Sequence, residues 1–136
     1  MIRWPLAIVL AVRGGFVFDA SATRAQESGD DLVAALLAEG EAAFPQTCAA
    51  CHGADGGGRI GPPLRNNTAS VRGLVRVLQF GRGPMPPLGA GMSDREIAAV
   101  LSYIRNSWGN AYGPVLPADI APYRQPTYPV QPDPKP

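Results

Sequence analysis

The sequence predicts an all-α domain, three or more short helices joined by Gly- and Pro-rich loops. Apolar residues recur at helical spacing in separate stretches. No run alternates apolar and polar residues for long enough to make a useful strand. Sixteen glycines and 15 prolines among 136 residues favour loops over long regular elements.

The first helix is expected from about Asp31 towards Cys48, where Leu32, Leu36, Leu37 and Phe44 are mixed with alanine. Gly40 and Pro45 weaken and interrupt the hydrogen-bond ladder, so a break near Glu39-Gly40 into two short pieces is expected. The second helix covers about Ser70 to Phe80. Its Val71, Leu74, Val75 and Leu78 form one apolar stripe, with Arg72 and Arg76 four apart on the other side. Gly81 and Gly83 stop it. The third opens on a capping box, Ser93-Asp94-Arg95-Glu96, in which Glu96 reaches back to Ser93. Ile97, Val100, Leu101, Ile104 and Trp108 supply its apolar face, and Gly109 ends it.

Around these helices the chain divides into three parts. Residues 1–25 read as an export signal: a basic start at Met1-Ile2-Arg3, an apolar run from Leu6 to Val12, and small residues near Ala20-Ser21-Ala22 or Thr23-Arg24-Ala25. The alternatives are a misplaced start codon or an uncleaved anchor, and the run is short for a bilayer span. Residues 26–113 form the domain, and 136 residues leave room for one. A domain of that size buries a limited share of its surface, so a large apolar cofactor would help it. In residues 114–136 eight of the 23 positions are proline, which predicts an extended strap or a disordered end.

The formal charge of +1 hides an uneven layout. Glu27, Asp30, Asp31, Glu39, Glu41 and Asp55 occupy a stretch without a base; Arg59, Arg65, Arg72, Arg76 and Arg82 follow in one without an acid. This is not the basic run of a nucleic-acid binder. A dipolar molecule suits transient electrostatic docking, and solvated faces explain the pattern equally well.

The chemistry lies at Cys48-Ala49-Ala50-Cys51-His52. Two thiols at this spacing can add to the two vinyl groups of a haem while the adjacent imidazole reaches the iron, giving one covalent haem c. Structural zinc needs four ligands, and the chain offers two Cys and one His in all. A redox dithiol normally follows a strand, and none precedes Cys48. A structural disulfide leaves His52 unexplained.

With no second His, the other axial ligand must come from methionine. Met92 directly precedes the helix cap, where it would staple onto Ile97. Met85 lies in Gly83-Pro84-Met85-Pro86-Pro87, where proline on both sides pre-sets the backbone. Met85 is the expected ligand and Met92 the reserve. A His/Met pair raises the reduction potential and leaves no open coordination position.

These residues resemble class I cytochromes c from about Gly40 to Trp108. The landmarks are Gly40-x-x-x-Phe44, Cys48-x-x-Cys51-His52-Gly53, Gly61-Pro62-Pro63-Leu64, Met85-Pro86, and a last helix with Val100, Tyr103 and Ile104. The resemblance implies the small cytochrome c fold, with Gly40 and Phe44 crossing the last helix beside Val100 and Tyr103. It also implies a hydrogen bond from His52 Nδ1 to the Pro62 carbonyl. Pro45 departs from the pattern, and the short interval from His52 to Met85 implies a trimmed, more exposed distal side. The stretch Tyr103 to Asn110, with Val115 and Pro117 to Ile120, resembles haem domains that accompany periplasmic dehydrogenases.

The reading is therefore a periplasmic electron carrier rather than an enzyme. Its haem would be shielded by Leu64, Leu74, Leu78, Val100, Leu101 and Ile104. Expected partners are a dehydrogenase donor and a cytochrome or oxidase acceptor, with no nucleic acid and no stable membrane span once the signal is removed. Two other classes remain open: a haem enzyme or gas sensor with a labile Met85, and a disulfide-bonded interaction module without haem.

Overall fold

The computed structural model describes residues 20–124, with side chains from Ser28. The elements run α1 (Ala20–Thr47), α2 (Ala49–His52), α3 (Val71–Phe80), a 3-10 turn (Leu88–Gly91), α4 (Asp94–Asn106), α5 (Pro117–Ile120) and a second 3-10 turn (Ala121–Tyr123). Among the described residues there is no strand, only an isolated bridge between Arg82 and Met85. The all-α expectation holds. The expected export signal lies outside the described residues as far as position 19, and its last residues begin α1.

The first helix corrects the expected break. α1 is continuous through Gly40 and contains Pro45. Its buried stripe explains this: Leu36, Gly40, Phe44 and Cys48 recur every fourth residue on one face, while Pro45 is exposed. At Gly40 the α4 backbone passes so close that a Cβ would stand 2.1 Å from the Ala99 carbonyl oxygen. Full burial of Leu36 and Phe44 contributes about 1.5–3 kcal/mol each. Together these offset a proline cost of about 3 kcal/mol. Beyond Pro45 the ladder resumes, with Cys48 N–H donating to Phe44 O at 2.9 Å and His52 N–H to Cys48 O at 3.0 Å.

α3 and α4 form as their sequences predict, except that α4 ends at Asn106, so Trp108, expected on its apolar face, lies beyond the helix at a φ of 55°. The Ser70 hydroxyl caps α3 by accepting from Gly73 N–H at 3.1 Å. In α4 the capping box is complete: Ser93 N–H donates to Glu96 Oε2 at 2.7 Å, and Glu96 N–H to Ser93 Oγ at 3.2 Å. The Ser93 groups hold the Glu96 carboxyl below its ordinary range, the backbone N–H first and the hydroxyl second. Arg95 ties α4 to α1 through a bidentate pair with Glu39, at 2.7 and 3.0 Å.

The C-terminal stretch is a second correction. Residues after Gly113 were expected as a strap or a loose end, yet Val115 and Ile120 are wholly buried in the core. Val115 is pinned by buried Ser102, whose Oγ donates to Val115 O at 3.0 Å and accepts from Val115 N–H at 2.8 Å. Apolar residues set between the prolines have a core to enter, so the segment folds back as far as Tyr123, which packs on the same cluster. Residues 125–136 lie outside the described residues.

Two apolar clusters make the core. One gathers Leu36, Val75, Leu78, Ile97, Ala98, Ala99, Leu101, Val115 and Ile120. The other gathers Phe44, Cys48, Leu64, Val100 and Ile104. Met92 packs against both.

Candidate haem site

Cys48, Cys51 and His52 sit on and just before the single turn α2, which continues the line of α1. Both cysteines are free thiols, Cys48 buried and Cys51 exposed. Burial, and then the neighbouring Cys51, pushes the Cys48 thiol up to about 11, so at neutral pH it is an uncharged part of an apolar wall.

His52 is 8% exposed, and its Nδ1 lies 2.8 Å from the Pro62 carbonyl oxygen. A carbonyl can only accept, so Nδ1 carries the proton and donates, which leaves the lone pair of the neutral ring on Nε2. The ring lies flush on the following loop: a Cβ on Gly61 would come 2.8 Å from His52 Cε1. That loop returns to the helix turn through Gly58 N–H to His52 O and Gly61 N–H to Cys51 O, both 2.8 Å.

Three aromatic rings meet where α1 crosses α4. Phe44 lies 5.5 Å from Tyr103 and 5.0 Å from Trp108, and Tyr103 meets Trp108 edge-on at 5.4 Å. On the outer side of the loop Asp55 pairs with Arg65 at 2.5 Å and accepts from Gly57 N–H at 3.0 Å. The Gly57 N–H, reinforced by the Arg65 charge, holds the Asp55 carboxyl below its ordinary value.

Of the other residues singled out from sequence, Leu64, Val100 and Ile104 share a cluster with Cys48. Leu78 and Leu101 belong to the cluster of Leu36 and Val75, with Leu74 and Met85 half-buried against it. Met85 leaves a tight hairpin in which its N–H and O exchange 3.0 Å hydrogen bonds with Arg82. Met92, also half-buried, bridges the two clusters and packs against the one holding Ile97.

Three polar contributors escaped the sequence reading. Buried Ser102 and Asn110 and the Asp55–Arg65 pair organise the loops on either side of α4. An Asn just beyond a helix-ending glycine is a recognisable capping signal. One partner of Asn110, Ile104 O, is six residues back, but the other two are 44 and 46 residues away and leave no local trace.

The residues fit haem c. Two free thiols three apart flank a buried wall, and the adjacent imidazole has its proton on the far nitrogen, as ligation through Nε2 requires.

A family model described as cytochrome c oxidase, cbb3-type, subunit III matches residues 35–104. The cytochrome c subunit of the quinone alcohol dehydrogenase of Gluconacetobacter polyoxogenes is 33% identical over 87% of this chain and 28% of its own length. The cbb3-type oxidase subunit CcoP of Cereibacter sphaeroides is 36% identical over 62% of this chain and 32% of its own. The chain thus spans about a third or less of these relatives. Cytochrome cL of Hyphomicrobium denitrificans has a TM-score of 0.48 at 27% identity, covering 68% of this chain and 61% of that one. The match to the family model extends over half of the sequence and includes the Cys-x-x-Cys-His turn, Met85 and most of α4; the chain belongs to the cytochrome c family, in the cbb3-type subunit III group, and is a class I c-type cytochrome.

Proposed function

We propose that this chain carries a single haem c, bonded through Cys48 and Cys51 with His52 and Met85 as axial ligands. It would pass electrons in the periplasm from a dehydrogenase to a cytochrome or oxidase acceptor. The observation that carries this reading is the buried His52 imidazole beside two free thiols, its Nδ1–H donated to Pro62. When bound, the group supplies a one-electron ferrous/ferric couple.

The chain's own residues set the conditions for that couple. The Pro62 carbonyl fixes the His52 ring and raises its basicity. Leu64, Val100 and Ile104 keep water from the Cys48 side. Met85 offers a soft, weakly donating thioether on a loop braced by Pro84 and Pro86, which favours a high potential. The dehydrogenase subunit role is supported by the alcohol dehydrogenase relative. The periplasmic location is supported by the expected export signal in residues 1–25. No helix among the described residues is long and apolar enough to cross a membrane.

Mass spectrometry and a pyridine haemochrome spectrum of exported protein test the cofactor; an unmodified, colourless polypeptide would overturn it. Met85→Ala should abolish the weak sulfur-to-iron absorption band, and Met92→Ala should keep it. The reverse pattern would move the ligand to Met92. Ferrous protein at neutral pH should bind carbon monoxide slowly or not at all, and rapid binding would favour the sensor class.

A further inference from the structure

The hydrogen bond from His52 Nδ1 to Pro62 depends on a loop with little internal stiffness, because residues 53–61 are rich in glycine. Upstream, Gly61 N–H on Cys51 O holds the chain at 2.8 Å just before Pro62, so the freedom left to its carbonyl is on the downstream side. Downstream of it, Leu64 anchors in the cluster of Cys48 and Ile104. The polar tie is Asn110, 5% exposed, beyond the end of α4.

Asn110 uses its whole amide. Nδ2 donates to Leu64 O at 3.0 Å and to Ile104 O at 2.8 Å, and Oδ1 accepts from Asn66 N–H at 2.7 Å. One of these carbonyls belongs to the last turn of α4, whose final carbonyls lack helical partners. The other two groups belong to the loop, two and four residues beyond Pro62. Leu64 N–H in turn donates to Gly56 O at 2.9 Å, closing the loop on itself. A buried amide with two donors and one acceptor engaged is rigid, and the two carbonyls it serves, of Leu64 and Ile104, lie in buried bonds whose loss is costly.

We propose that Asn110 is a positioning residue for the proximal ligand: it clamps the 62–66 segment to α4, holds the Pro62 carbonyl on His52 Nδ1, and so tunes the reduction potential. The proposal rests on His52 being an iron ligand. Loss of the clamp weakens the hydrogen bond, lowers the basicity of the ring and its donation to iron, and raises the potential.

The test uses holoprotein carrying Asn110→Leu, which keeps the branching and the number of side-chain heavy atoms and introduces no charge, with the smaller Asn110→Ser as a second variant should the first fail to accumulate. Ser102→Ala is the control, since it removes a buried hydroxyl of the same helix that ties Val115 instead of the loop. Expected are a raised potential and solvent exchange of the His52 Nδ1–H faster by about tenfold, equivalent to about 1.4 kcal/mol. Ser102→Ala should lower thermal stability without moving either. Wild-type potential and exchange in the Asn110 variants would overturn the proposal, as would equal shifts in Ser102→Ala. A fall in potential, the sign of water reaching the iron, would also overturn it by reducing Asn110 to packing. Absence of covalent haem from wild-type protein would instead defeat the functional reading itself.

Discussion

Replacing Gly40 with alanine tests whether the α1–α4 crossing holds the site together. On an isolated helix the change is favourable, worth about 1 kcal/mol in propensity. Here the new methyl would stand 2.1 Å from Ala99 O, 2.7 Å from Ala99 C and 2.7 Å from Tyr103 Cβ. The nearest obstacle is backbone and cannot rotate away. Ordinary contact requires the helices to part by about 1 Å, and a gap of that order forfeits up to half of each neighbouring dispersion contact. Leu36, Phe44, Ala99 and Val100, all nearly fully buried, would lose complementarity at once. Overpacking of this kind costs about 1–3 kcal/mol. The immovable obstacle puts Gly40→Ala at the upper end, so the net loss after the propensity gain is about 2 kcal/mol.

For a domain near 100 residues that lowers Tm by about 8–16 °C. The assay is thermal and urea unfolding of holoprotein, followed by helix circular dichroism. Gly29→Ala, in the same helix with nothing within 4 Å of the added carbon, is the internal control and should stabilise by about 0.4–1 kcal/mol. If Gly40→Ala matches or exceeds the wild type, the close crossing is not what makes glycine necessary there, and the reasoning fails.

Gly61→Ala would place a methyl 2.8 Å from His52 Cε1, so the ring must shift off Pro62; a raised reduction potential and a lower Tm are expected, and wild-type values of both would refute it. Glu96 and Asp55 both have carboxyls below their ordinary values of 4.5 and 3.8. Their stabilisation is therefore full above those values and is lost as pH falls through the lower folded ones. Urea midpoints followed into acid should fall less steeply for Glu96→Gln, and an unchanged acid limb would remove Glu96 as a contributor. Truncation after Gly113 deletes wholly buried Val115 and Ile120, a loss of about 3–6 kcal/mol against a total of about 5–15. Little folded holoprotein should accumulate, whereas a chain ending at Arg124 should fold; a stable, spectrally normal protein ending at Gly113 would count against the observed core.

Local signals carried most of the architecture. Ser93 and Glu96 form their capping box because all its partners lie within four residues, and the stripe Val71, Leu74, Val75, Leu78 needs only helical periodicity. The placement of Cys48, Cys51 and His52 on one turn follows from sequence adjacency. Failures came where distant contacts overrode local preference. Pro45 and Gly40 predict a break in isolation, but α4 supplies the burial that keeps α1 whole, and Gly40 is what admits it. Prolines after Pro114 predict an extended tail, and only the existing core reveals that Val115 and Ile120 have somewhere to go. Asn110 was invisible because its meaning lies in two carbonyls and an amide that the fold brings to it.

With Met85 as the proposed second ligand, the two ligand segments are held by unequal means, and this predicts an order of failure. On the proximal side His52 is braced by the Pro62 carbonyl, by a loop closed on Gly56 and by the buried Asn110 amide. The Phe44–Tyr103–Trp108 cluster packs beside that loop, with Trp108 lying against Gly56. Met85 is only half-buried, at the edge of the Leu36 cluster, and its hairpin is closed by two hydrogen bonds with exposed Arg82. Segments with few buried contacts open at lower free energy than the global transition. With Met85 as the ligand, the sulfur-to-iron band should disappear at lower urea than the helix signal, while the Soret band still reports a haem bonded to the chain. Loss of band and helix in one coincident transition would show the distal loop to be as firmly held as α1 and α4, and the asymmetry argued from these contacts would be wrong.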